Sequence, residues 1–323
     1  MFSKIKELID VSNNIYVIGH KGPDGDAIGS SFALCIALNN LGKNAKVIMP
    51  EFSDRFGFLP NIESAVAKID EDSYDLLIAV DSSDRTRLPI SDEDYSKAKK
   101  VVMIDHHEIG KNPYGDERYI DSTMPAACQI IYDLLTFMDV DITKEIATYL
   151  YTGLMTDTGS FNYSSVKPST LHIAANLVST GIDFSYICKK LNHTMKEGKL
   201  KLIAVAINNM EVYYDGRLRY SYIDYDTIAN LGLNDEDSEG MTNYLLTPEN
   251  TEIAIYVRQR SDGTNKVSMR SRENIDVSKI AIAFNGGGHA RAAGYSMKDD
   301  LEVEKNKVID VVGVMLSEYD SSN

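Results

Sequence analysis

The chain has 323 residues, 43% apolar and 25% charged, which is ordinary for a soluble globular protein and more than one hydrophobic core usually serves. Its net charge of −15 argues against coating long nucleic acid through a broad basic face. No run reaches the roughly 18 apolar residues needed to span a bilayer, and the charged N-terminal stretch MFSKIKELIDVSNN has no apolar signal core. A cytoplasmic protein without a membrane partner is expected.

Taken along the chain, strands are predicted over 15–19, 45–49, 76–80 and 101–104, with a helix over 27–41 ended by Gly42. Short β-branched runs separated by helical patterns suggest a mainly parallel, doubly wound sheet with helices on both faces. Helices follow over 126–138, 143–156 and 168–180, the last closed by Gly181. Residues 183–210 are rich in Lys and Leu at helical spacing and read as a connector. Beyond them come strands over 210–224, 252–260 and 266–272, with SDGTN as a turn between the last two. A glycine-rich turn and a helix over 303–318 complete the chain. The expected class is α/β: a doubly wound domain over 1–184, a helical linker over 185–210, and a smaller α/β domain with a mixed sheet over 211–323. Three cysteines, Cys35, Cys128 and Cys188, have no paired spacing and read as reduced core residues.

In a parallel sheet, ligands bind beyond the carboxyl ends of the strands. Here those ends carry metal-ligand residue types. His20 begins HKGPDGD, which holds Asp24 and Asp26; Asp81 stands in AVDSSD; Asp105, His106 and His107 follow 101–104; Asp157 stands in MTDTGSF. Singly, each has an ordinary explanation as a turn or cap residue, and for Asp84 a helix cap is the better one. Together they converge on one rim. Carboxylate and imidazole without thiolate favour Mn²⁺, Mg²⁺ or Fe²⁺ over a structural zinc. Asp24 and Asp26 can face different metals, with an aspartate such as Asp81 between them. Two metals about 3.5–4 Å apart form a clamp for in-line displacement at phosphorus. His106 and His107, adjacent at a strand end, are expected on opposite faces, one as a ligand and the other as a donor to the phosphate.

The motifs HKGPDGDAIGS, AVDSSD, IDHH and TDTGSF, in this order, resemble the DHH phosphoesterase family. The segment VSMRSRENIDVSKIAIAFNGGGHARAAG resembles the family's DHH-associated substrate-binding domain. The resemblance implies one Mn²⁺ bound by His20, Asp24 and Asp81, and a second bound by Asp26, Asp81, His106 and Asp157, with Mg²⁺ as the alternative ion. It sets His107 beside the scissile phosphate and gives Asp105 the task of orienting a histidine. Gly22 stands where many relatives have Asn. In the second domain, Arg270 would grip a terminal phosphate, while Gly286, Gly287 and Gly288 offer backbone N–H groups to a nucleotide and His289 touches substrate. Arg258 and Arg272 read as exposed strand arginines, and His172 and His193 as structural.

With no Trp and an acidic balance, processive binding of long single strands is disfavoured. The two-domain form is most similar to the oligoribonuclease/pAp-phosphatase group. The activity expected is hydrolysis of oligoribonucleotides of about two to five nucleotides, linear dinucleotides such as pApA and pGpG among them, with removal of the 3′-phosphate of pAp, by a homodimer. A stand-alone cyclic-di-AMP phosphodiesterase is the alternative, and a RecJ-like single-strand exonuclease ranks below it.

Overall fold

Alternation of side chains along short β-branched strands builds the first sheet. The computed structural model describes residues 2–235, 237–272 and 275–322, Ser322 by its backbone alone. The chain divides into two compact units, Met1–Thr194 and Met195–Asn323.

In the first unit, β1 (Asn14–Ile18), β2 (Asn44–Ile48), β3 (Tyr74–Val80), β4 (Ala98–Asp105) and β5 (Glu117–Ile120) form one parallel sheet in the order β2-β1-β3-β4-β5. Ile15, Val17, Ile78, Val80, Val102 and Ile104 enter the core on one face. Their neighbours Tyr16, Ile18, Leu77, Ala79, Val101 and Met103 enter a second, smaller core on the other. Over the first face lie α1 (Phe2–Val11) and α2 (Gly25–Asn40). The second face is covered by irregular chain and by the short α3 (Asp92–Ser96). The first face is completed by α4 (Ala127–Phe137), α5 (Lys144–Asp157), α6 (Pro168–Ser179) and α7 (Phe184–Asn192). Neither α1 nor β5 is foreseen from the sequence. β5 is four residues, Glu-Arg-Tyr-Ile, at the sheet edge, where pairing with β4 overrides a polar local pattern.

The second unit holds a six-stranded mixed sheet between two helical layers. Its elements are α8 (Glu197–Asn208), β6 (Glu211–Tyr213), β7 (Leu218–Ile223), α9 (Tyr225–Asn230), α10 (Met241–Leu245), β8 (Ile253–Gln259), β9 (Asn265–Ser271), α11 (Val277–Ala283), β10 (Gly287–His289), β11 (Ala292–Ser296) and α12 (Leu301–Ser322). The strand order is β10-β11-β9-β8-β7-β6, with only the β7–β8 pair parallel among the named strands. Ile253, Ile255 and Val257 face α11 and α12, whereas Ala254 and Tyr256 face α8, α9 and α10.

Several expectations need correction. The strand predicted over 210–224 is a hairpin, β6 and β7, broken at YYDGR where Tyr214, Asp215 and Gly216 all take positive φ. An Asp-Gly pair signals that turn. The glycine-rich turn is mostly strand: β10 pairs antiparallel with β11. The stretch 185–210 is helical, but it is not free-standing, since Ile187 and Leu191 of α7 belong to the first unit's core and Leu202 and Ile203 of α8 to the second's. Cys35 and Cys128 are buried and Cys188 partly so, all as free thiols.

Candidate metal centre

The sheet order reverses between β1 and β3, the position where open α/β sheets bind ligands. The loops after β1, β3 and β4 meet there. Asp24 caps α2, its Oδ1 accepting the amides of Asp26 and Ala27 at 2.9 and 3.1 Å. Its Oδ2 is turned towards His20 Nε2 at 3.8 Å. Gly22, two residues earlier, has φ +61°, a left-handed conformation open to glycine or asparagine and costly for most side chains.

Asp26 is fully buried, and its partner is unexpected. Helix α4 begins at MPAAC, and its N-cap Ala126 supplies no side-chain acceptor. Asp26 supplies it instead, Oδ2 accepting from the Ala127 amide at 2.5 Å and Oδ1 from Cys128 at 2.9 Å. A helix start lacking Ser, Thr, Asp or Asn was the one sequence signal that an acceptor had to come from elsewhere.

The structure brings the expected donors into three overlapping groups, each with its donor atoms within 4.8 Å of one another: His20, Asp24 and Asp81; Asp26, His106 and Asp157; and Asp81, Asp105, His106 and His107. Asp157, the last residue of α5, sets Oδ2 3.1 Å from His106 Nε2. His106 Nε2 is also 3.4 Å from Asp81 Oδ1 and 3.7 Å from Asp26 Oδ2. His20 Nε2 is 3.6 Å from Asp81 Oδ2, so Asp81 turns one oxygen to each side. Backbone carbonyls fix the tautomers. His20 Nδ1–H donates to Lys21 O at 2.9 Å and His106 Nδ1–H to Met124 O at 3.2 Å, which leaves both Nε2 atoms to face the carboxylates.

The two adjacent histidines do not point to opposite faces. β4 ends at Asp105, so strand alternation no longer governs them, and their ring centroids are 4.2 Å apart with both rings reaching Asp81 Oδ1. They differ in their other partners. His107 Nδ1–H donates to Asp105 Oδ1 at 2.9 Å, and the same oxygen accepts the His107 amide at 3.0 Å.

The donor set fits divalent cations. Asp81 Oδ1 and His106 Nε2 are buried atoms with no hydrogen-bond partner, aimed at each other's neighbourhood. Burial, with the like charges of Asp81 and Asp157 beside it, holds the Asp26 carboxyl well above its ordinary range. A buried cluster of carboxylates is relieved by a positive ion.

In the second unit the register sets His289 opposite Ala292 and Ala292 opposite Arg270, so Arg270 and His289 share one face of the sheet with an alanine between them. Gly287 and Gly288 lie in β10, and Gly286 just precedes it, packed so closely that an added Cβ would stand 2.2 Å from Gly294 O. Arg258 is not an exposed arginine: it is 5% exposed and hydrogen-bonded to Ser238 Oγ at 2.5 Å. Arg272 is exposed but occupied, donating to the carbonyls of Leu246, Thr247, Pro248 and Glu249. His172 and His193 lie on exposed surface of α6 and at the end of α7.

A parallel sheet whose strand ends gather carboxylates and imidazoles around one aspartate defines a phosphoesterase of the DHH type, and the chain belongs to that family. The DHH family's N-terminal domain matches residues 14–154, and the DHHA1 domain matches 215–316. Among its relatives, the bifunctional oligoribonuclease and PAP phosphatase NrnA of Thermus thermophilus is 32% identical over 94% of this chain and 90% of its own length. The cyclic-di-AMP phosphodiesterase PdeA of Listeria monocytogenes is 25% identical over 94% of this chain but only 48% of its own length. A crystal structure of an exopolyphosphatase-related protein from Bacteroides fragilis has the same fold, with a TM-score of 0.88 at 27% identity, covering 98% of this chain and 96% of that one. Among the described residues, no helix is long and apolar enough to cross a membrane.

Proposed function

We propose that the protein hydrolyses very short oligoribonucleotides, linear dinucleotides such as pApA and pGpG among them, to mononucleotides, and removes the 3′-phosphate of pAp. The observation that carries this reading is the overlap of three donor groups, two sharing Asp81 and two sharing His106, with Asp81 Oδ1 and His106 Nε2 buried and unpartnered. Similarity to the NrnA relative of Thermus thermophilus supports the substrate class.

On this reading His20, Asp24 and Asp81 would hold one Mn²⁺, and Asp26, Asp81, His106 and Asp157 a second, with Mg²⁺ as the other ion that suits such donors. When bound, the pair would activate water and neutralise charge on the phosphoryl group. Asp81 holds the two sets of donors in register. Asp105 fixes the His107 ring from behind, so that His107 can offer an N–H to a phosphoryl oxygen. Arg270, Gly286, Gly287, Gly288 and His289 would bind substrate, Arg270 through a guanidinium fork suited to a terminal phosphate. A cytoplasmic homodimer belongs to the same proposal.

The test is a substrate panel with purified protein and Mn²⁺: a linear dinucleotide, a 24-nucleotide RNA, pAp and cyclic di-AMP. Rapid turnover of the dinucleotide and pAp is expected. Faster turnover of the 24-nucleotide RNA would overturn the short-substrate reading, and a preference for cyclic di-AMP would transfer the assignment to the cyclic dinucleotide activity that PdeA carries.

A further inference from the structure

Asp81, shared by both sets of donors, has a strained backbone. Its φ is +56°, left-handed, in an aspartate only 1% exposed. Outside glycine such a conformation persists where the surroundings over-determine it. One anchor is the residue's own amide, which donates to Ile104 O at 2.9 Å and ties it to the end of β4.

Ser82 to Arg85, the chain just after Asp81, is tied to residues 108–114, which follow the histidines. Tyr114, buried in the smaller core, donates its hydroxyl to Ser82 O at 2.6 Å. Ser83 Oγ donates to Glu108 O at 2.8 Å and accepts the Gly110 amide at 3.1 Å. The Arg85 amide donates to Asn112 O at 3.0 Å, and the Asn112 amide to Asp84 Oδ2 at 3.3 Å. A Cβ at Gly110 would stand 2.6 Å from Asp84 Cβ and 2.9 Å from Ser83 O, so a side chain there would force the two segments apart.

We propose that residues 108–114 are a strap that holds the left-handed turn at Asp81, and that Tyr114, acting through the Ser82 carbonyl, is a positioning residue for both sets of metal donors. The segment contains no candidate ligand and no motif residue. A phenylalanine would fill the same core volume, so the hydroxyl alone carries the effect. Removing it leaves the Ser82 carbonyl without its buried partner and frees the turn to relax away from positive φ.

The metal readout of the test rests on the two-metal phosphoesterase reading above; the backbone readout does not. In full-length Tyr114→Phe, the Mn²⁺ dissociation constant measured by calorimetry without substrate should rise about tenfold or more. Dinucleotide kcat should fall with KM little changed. In metal-free protein, amide exchange at Asp81 to Ser83 should quicken about tenfold. Ser83→Ala, which cuts the strap at a second point, should give the same pattern. A Tyr114→Phe protein with wild-type Mn²⁺ affinity and wild-type exchange at 81–83 overturns the proposal, even if its melting temperature has dropped. If the wild-type protein itself takes up no Mn²⁺, the metal reading fails alone and the exchange rates still decide the strap.

Discussion

The Asp26 carboxylate caps the helix that begins at Ala127, across 101 residues of sequence, with Oδ2 at 2.5 Å from the Ala127 amide. A candidate metal ligand is thereby oriented by the first turn of α4, and the positive end of that helix supports its charge. The arrangement depends on close packing. A Cβ at Gly153 of α5 would lie 2.2 Å from Cys128 Sγ and 2.9 Å from Asp26 Oδ1.

Gly153→Ala should therefore cost about 1–3 kcal/mol through overpacking, read from urea unfolding of the metal-free protein, and should lower dinucleotide turnover by pushing Asp26 off its amides. Cys128→Ala, made in the same chain, removes the nearest clash and should restore part of the stability. A Gly153→Ala protein with wild-type stability and turnover would show that α2, α4 and α5 have slack at this point.

Asp81 calls for a different substitution. Alanine at φ +56° adds a backbone penalty of about 1–2 kcal/mol to the loss of the carboxylate. Asparagine tolerates that conformation and keeps the shape. Asp81→Asn should fold with near-normal stability and lose at least about 100-fold in turnover, more than the loss of a group that merely orients a ligand. Retained activity would rule out the proposed bridging role of Asp81.

Metal uptake should release protons. Burial works against charge on His106, but the carboxylates of Asp157 and Asp81 close beside it outweigh that and push its pKa up to about 12. The bond to Asp105, with the Asp81 carboxylate beside it, pushes His107 up to about 10. Both pKa values lie above the unfolded value of about 6.5. In metal-free protein these pairs therefore contribute fully below about pH 6.5, and the contribution is lost as pH rises through about 10 and then about 12. A ligating imidazole must be neutral, so Mn²⁺ binding at neutral pH should expel the His106 proton and strengthen with pH. Calorimetry in two buffers of different ionisation enthalpy, such as PIPES and Tris, should give different heats; equal heats would contradict the protonated metal-free pair.

Gly22 offers a control outside the ligand set. A Cβ there meets nothing within 4 Å, so only the positive φ restricts the position. Gly22→Asn should be close to neutral in melting temperature and Mn²⁺ affinity. Gly22→Val should cost about 1–2 kcal/mol, since β-branched residues are least tolerant of left-handed backbone. Equal behaviour of the two variants would mean the loop relaxes in solution.

The donors were legible in the sequence because each lies within a short segment at an element end: HKGPDGD after β1, Asp81 after β3, the histidines after β4 and Asp157 at the end of α5. Parallel strands deliver such ends to one rim, so recognising the strands was nearly enough to assemble the group. Arg270 and His289 were legible as candidate residues, but their common face depends on β11 lying between them, and the register of a glycine-rich edge leaves little local signal.

The sequence by itself determined the α/β class, the parallel first sheet and which carboxylates and imidazoles gather beyond its strands, because periodicity and strand-end chemistry are local properties. Only the tertiary structure decided that both histidines reach one aspartate, that Asp26 is held by the amides of a helix 101 residues away, and that Tyr114 meets the carbonyl of Ser82. Each of those relationships pairs a side chain with a group far from it in sequence, in two cases a backbone amide or carbonyl that any residue can supply, and they therefore leave no pattern in the chain.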